Sequence, residues 1–121
     1  MKKLAIVLLL VFPAALKGFS QTKIDAKDAA KHLNETVTIC DKVADGRYFA
    51  NSETTLLNIG GTHPNELLTV VIKGDDRKKF SGEPEKIFMN KKVCITGKLI
   101  DFKGKPEIVI TESSQLTLDK D

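Results

Sequence analysis

Two seven-residue runs in this chain are near-copies: Val37–Val43 reads V-T-I-C-D-K-V and Val93–Leu99 reads V-C-I-T-G-K-L. In each, aliphatic and polar residues alternate at period two, the pattern of a strand with one buried face. Each run also carries one of the chain's only two cysteines, on the face opposite the aliphatic residues. If the runs lie antiparallel, setting Cys40 opposite Cys94 also sets Ile39 opposite Ile95, and both aliphatic faces point the same way, as register requires. Two readings of the cysteines are open, a bridge or a pair of free small hydrophobes. An oxidising compartment favours the bridge, and closing so long a loop stabilises by roughly 4 kcal/mol in the chain-entropy account.

The compartment is legible at the N-terminus. Lys2 and Lys3 precede the apolar run Leu4–Leu16, and Gly18-Phe19-Ser20 puts small residues either side of Phe19, just before Gln21. That is the layout of a secretory signal peptide. Residues 1–20 are expected to be removed and residues 21–121 to form one domain, periplasmic or secreted. No stable membrane anchor is expected to remain, because spanning a bilayer takes about 20 apolar residues. Export also changes the charge. Lys2, Lys3 and Lys17 leave with the signal, and the 16 basic residues that remain match the 16 acidic ones. The pI of about 8.8 therefore belongs largely to the targeting segment. Strong non-specific binding of polyanions needs a basic protein, and this is not one.

Along the mature chain, apolar residues at 26, 29, 30 and 33 predict a short amphipathic helix over Ile24–Leu33, with Asp25 as its N-cap. Strand one is expected over Thr36–Ala44, ended by an Asp45-Gly46 turn. Strand two has its core at Thr54–Ile59, with Tyr48–Ala50 as its first part. Strand three is Leu67–Lys73, followed by helical turns at Asp75–Phe80 and Glu85–Met89. Strand four is Lys91–Asp101, Phe102-Lys103-Gly104-Lys105 is a hairpin loop, and strand five is Pro106–Thr111. Five strands with a helical insert between the third and fourth describe a mainly β chain folded as an oligonucleotide/oligosaccharide-binding (OB) barrel. An open α+β sheet is the alternative.

A resemblance points the same way. Leu56-Leu57-Asn58-Ile59-Gly60-Gly61, Thr69-Val70-Val71-Ile72, Val93-Cys94-Ile95-Thr96-Gly97-Lys98-Leu99 and Gly104-Lys105-Pro106-Glu107-Ile108-Val109 together resemble bacterial OB-fold domains, some of them exported. Such domains are described as nucleic-acid-binding. The resemblance implies a fold and a class of ligand, not a substrate.

Catalysis finds little support in the residues. A staphylococcal-type nuclease site needs clustered carboxylates for calcium and arginines for the developing phosphorane. Arg47 and Arg77 are the only arginines, and no Asp-Gly-Asp-Thr run is present. With His32 on the first helix and His63 in a turn, no acid, base or nucleophile converges. Cys40, Cys94 and the histidines lack metal-ligand spacing, so neither metal nor cofactor is expected. The run Arg77-Lys78-Lys79 beside Asp75-Asp76 reads as a solvated helix face.

A binding surface is the remaining candidate. OB barrels bind across strands two and three, between the strand 1–2 and strand 4–5 loops. Those loops hold Arg47, Tyr48 and Phe49 on one side and Phe102, Lys103 and Lys105 on the other. Rings flanked by cations suit single-stranded nucleic acid, whose bases stack and whose phosphates attract cations. The same rings would suit an oligosaccharide or a protein partner.

Overall fold

The computed structural model describes residues 22–120, so the expected signal peptide, residues 1–20, lies outside the described residues. In chain order the elements are β1 (Thr22–Ile24), a 3₁₀ turn (Ala26–Lys31), β2 (Thr36–Phe49), β3 (Thr54–Ile59) and β4 (Leu68–Ile72). Two single-turn helices follow, α1 (Gly74–Arg77) and α2 (Pro84–Ile87). Then come β5 (Lys92–Lys98), β6 (Ile100–Phe102), β7 (Lys105–Ile110), a second 3₁₀ turn (Ser113–Gln115) and β8 (Leu116–Leu118). Pairing runs in the order β6-β7-β4-β3-β2-β5-β8, and β1 joins β2. The β1–β2 and β4–β7 pairs are parallel and the rest antiparallel.

One side of this sheet is the core. Val37, Ile39 and Val43 of β2 meet Leu57 and Ile59 of β3, Val70 and Ile72 of β4, Val93 and Ile95 of β5, and Ile108 and Ile110 of β7, all fully buried. These positions alternate along each strand because successive side chains point to opposite faces. Ala26, Ala29, Phe88 and Leu116 close the ends of the same cluster. At Gly97 an added Cβ would lie 2.6 Å from Ile108 Cγ2. Glycine is thus what lets β5 and β7 approach each other through the core.

The register anticipated from the paired runs is the one observed. Within β2–β5, Ile39 lies opposite Ile95 and Cys40 opposite Cys94. The cysteines form a disulfide with their Cα atoms 4.0 Å apart. Beside it, on the same outer face, Thr38 and Thr96 join their hydroxyls at 2.9 Å.

Several expectations are corrected. Among the described residues the strands number eight, not five, because short segments at both ends join the sheet and the long fourth strand divides at Leu99. There the backbone leaves the ladder so that the Leu99 N–H can bond Glu35 O and its carbonyl can accept from Asn34 N–H. The helix expected at Ile24–Leu33 begins instead as strand β1 and continues as a 3₁₀ turn, with Asp25 making no side-chain cap. Asp45-Gly46 is no turn. Here β2 runs on to Phe49 with a register shift between Val43 and Asp45, and the reversal falls at Ala50–Glu53. Gly46 is required for packing, since a Cβ there would come 2.9 Å from Leu57 Cδ2.

That irregularity turns the strand over. Before it, odd-numbered residues point into the core; after it, Asp45, Arg47 and Phe49 point outward and Gly46 points inward. A one-residue insertion does this because the side-chain period is two. The strand also changes partner there, from β5 to β3.

Candidate ligand-binding cleft

A cleft of about 460 Å³ opens on the outer face of β2, β3, β4 and β7. Its walls include Arg47 and Phe49 from the end of β2, and Phe102, Lys103 and Lys105 from the β6–β7 hairpin. These are five of the six residues singled out from the loops. The hairpin is a two-residue connection with Phe102 paired to Lys105. Lys103 and Gly104 both take positive φ, 52° and 88°, as a tight primed turn demands. Phe49 is 38% exposed and Phe102 52%. Each carries a cation over its ring: the Arg47 guanidinium lies 5.6 Å from the Phe49 centroid, and the Lys103 ammonium 5.3 Å from that of Phe102.

Tyr48, the sixth residue, is not in the cleft. Strand alternation sends it to the other face, where the Arg77 guanidinium lies 4.0 Å from its ring centroid. Arg77 is also not part of a solvated face, since its side chain is only 17% exposed. It donates to both Glu85 oxygens, at 2.5 and 3.2 Å, and to Thr55 Oγ1 at 2.8 Å. The hydrogen bonds to Glu85 raise the Arg77 pKa further. Burial acts to raise the Glu85 carboxyl, yet Arg77 and the local backbone N–H hold it below the ordinary range. Lys78 pairs with Asp75 at the surface, as the sequence suggests, whereas Lys79 pairs with Asp76 and also reaches Thr111 O at 2.8 Å and Glu112 Oε2 at 3.1 Å.

The cleft also holds residues that inspection of the loops missed. Asp45, Asn58, Thr69 and Glu107 line it, with His63 and Glu66 from the β3–β4 turn at its end. Their carboxylates balance the basic residues charge for charge. Lys105 in particular is committed: its ammonium donates to Pro64 O at 2.8 Å and lies 3.5 Å from Glu66. Glu66, with a side chain 5% exposed, also faces His63 Nδ1 at 3.3 Å. Burial pulls its carboxyl upward, but its own backbone N–H, His63 and Lys105 outweigh that and leave it below the usual value. Its Oε1 is buried with no hydrogen-bond partner. Glu107 is shifted the other way, raised by burial against the charge of Lys73. Among the described residues, Arg47 and Lys103 are cleft cations outside any ion pair. The outward positions on strands two, three and five would have revealed Asn58, Thr69 and Glu107 as floor residues.

No family model matches the chain, and no curated protein does either. Solved structures do. Aspartyl tRNA synthetase from Entamoeba histolytica superposes with a TM-score of 0.54 at 14% identity, over 98% of this chain and 29% of that one. A chain described as an aspartyl-tRNA synthetase of Leishmania major Friedlin gives a TM-score of 0.52 at 9% identity, over 83% of this chain and 21% of that one. The likeness is one of fold, and this chain spans under a third of the length of either structure.

Proposed function

We propose that this chain is an exported, non-catalytic OB-type module that binds single-stranded nucleic acid in the Phe49–Phe102 cleft. The observation that carries this reading is the pair of exposed rings, each under a cation, lining one cleft from the end of β2 and from the β6–β7 hairpin. Only Leu99 separates β5 from β6, although these strands pair with β2 and β7 respectively. Such continuity supports reading β2, β3, β4, β7 and the β5–β6 stretch as the five staves of an OB barrel. Bases stack on rings at about 1–3 kcal/mol each, a term that needs no strong net charge. Two solved structures that share the fold bear the name aspartyl-tRNA synthetase, which fits a nucleic-acid ligand. The layout of residues 1–20 supports export, and the Cys40–Cys94 bridge suits an oxidising compartment. An N-terminal peptide of the secreted protein that begins at Gln21 is the expected mass-spectrometric result.

Fluorescence anisotropy with a labelled single-stranded oligonucleotide tests the binding. Saturable binding at low salt, weakened by Phe102→Ala, is expected; no binding at low salt overturns the reading. The carboxylates of Asp45, Glu66 and Glu107 favour a second one, an oligosaccharide whose hydroxyls they accept while its rings stack on Phe49 and Phe102. Retention on a glycan surface by protein that ignores oligonucleotides would establish it.

A further inference from the structure

The floor of the cleft is a polar row built by the register of the sheet. Asp45 lies opposite Asn58, Asn58 opposite Thr69, and Thr69 opposite Glu107. All four line the cleft, one per strand, at the interstrand step of about 4.8 Å. Their hydrogen-bonding capacity is one-sided. Asn58 donates from Nδ2 to Asp45 Oδ1 at 2.6 Å, which leaves its carbonyl oxygen for the cleft. The Thr69 hydroxyl donates toward Glu66 Oε2 at 3.5 Å, which leaves its lone pairs. Glu107 feels the charge of Lys73 and, ionised, can only accept. Glu66 Oε1 adds a buried acceptor with no donor at the end of the row. Apart from the second hydrogen of Asn58 Nδ2, this floor offers acceptors.

A flat ring stacked on Phe49 or Phe102 in this cleft would present an edge to that row. We infer that, within the nucleic-acid reading on which this rests, the floor selects bases bearing an exocyclic amino group (cytosine, adenine and guanine) over thymine. The amino group of cytosine or adenine brings N–H donors to Glu107 and to the Asn58 carbonyl. Carboxylate recognition of the cytosine amine is an established pairing. Thymine instead flanks its single ring N–H with two carbonyl oxygens, which would face the floor acceptors and leave them unpaired. Leaving buried acceptors facing acceptors costs more than losing a contact, so the preference acts mainly by rejecting thymine.

The test compares oligo(dC), oligo(dA) and oligo(dT) on the purified protein and on Glu107→Gln, by anisotropy at fixed low salt. Wild-type protein is expected to bind oligo(dC) and oligo(dA) about tenfold more tightly than oligo(dT), the scale of one good base-edge contact. Glu107→Gln supplies an amide N–H, so oligo(dT) should gain affinity and the ratio should fall toward one. Equal affinities for all three oligonucleotides in wild-type protein overturn the inference and leave the nucleic-acid reading standing. A wild-type preference that Glu107→Gln leaves intact also overturns it, with thermal unfolding verifying that the variant is folded. Failure of every oligonucleotide to bind overturns both.

Discussion

Two arginine–aromatic pairs sit on neighbouring residues of β2 and face opposite ways. On one face Arg77 covers Tyr48 at 4.0 Å and is bound by both oxygens of Glu85. On the other, Arg47 lies 5.6 Å from Phe49 and belongs to no ion pair among the described residues. The chemistry of the two pairs is alike; their commitments differ. Where donors, acceptors and ring are all occupied by the chain itself, the group fastens α1 and α2 to the sheet. Where cation and ring are left uncommitted beside a cleft, they are available to a ligand.

The largest expected effect separates the framework from both faces. Replacing Cys40 and Cys94 with serine removes the bridge across β2–β5 and should lower unfolding free energy by roughly 4 kcal/mol. Oligonucleotide affinity, measured in the cold where the variant stays folded, should change little, because neither cysteine lines the cleft. A collapse of binding in folded protein would mean that cleft and framework are not separable.

Breaking the committed face comes next. Arg77→Ala leaves Glu85, 11% exposed, without its partner, and about 3 kcal/mol of stability should be lost in denaturant unfolding. Binding should be unchanged. The open face should behave in the opposite manner: Phe49→Ala or Phe102→Ala weakens oligonucleotide binding by about 1–3 kcal/mol and barely moves the unfolding midpoint. If Arg77→Ala impaired binding as much as Phe102→Ala, the contrast between the faces would fail.

Acid titration sharpens the contrast further. Glu85 and Glu66 both lie below their ordinary value of 4.5 in the folded chain. Their stabilisation is therefore present above that value and lost as pH falls through their depressed folded values. Glu107 is raised, so its contribution is present below 4.5 and lost as pH rises through its folded value. Glu85→Gln should flatten the acid limb of the stability curve. Glu107→Gln should raise stability at neutral pH, measured as the urea midpoint.

How much of this was legible beforehand follows from the parity of β2. The alternation of Val37–Val43 and Val93–Leu99 fixes which faces of β2 and β5 share the core, and setting Cys40 opposite Cys94 singles out the register among the pairings that do so. Parity beyond Val43 is another matter. Asp45-Gly46 has the composition of a turn, but its glycine answers to Leu57 packed against it. A bulge and a turn draw on the same residue types, so local sequence does not distinguish them. Once the bulge is missed, Tyr48 and Phe49 look like neighbours on one loop when they stand on opposite faces. Arg77 was misjudged for a related reason. Its charge run looks solvated until Glu85 and Tyr48, distant in sequence, converge on it. The cleft walls were found because they belong to loops, whereas the floor needed the register of four strands at once.

The smallest effect distinguishes the cations within the open face. Each phosphate neutralised on a single strand contributes about −0.7 to the slope of log affinity against log salt. Arg47 and Lys103 are uncommitted, so a shallow slope of about −1.4 is expected. Lys103→Ala should reduce it by about half. Lys105 sits in the same hairpin and carries the same charge, yet its ammonium is held by Pro64 O and Glu66. Lys105→Ala should leave the slope near its original value and lower affinity at every salt concentration, since the Glu66 charge is then uncovered beside the ligand. Equal loss of slope in the two variants would show that Lys105 abandons Glu66 for phosphate. Being committed within the chain, and not merely lying on the open face, is what this last measurement isolates.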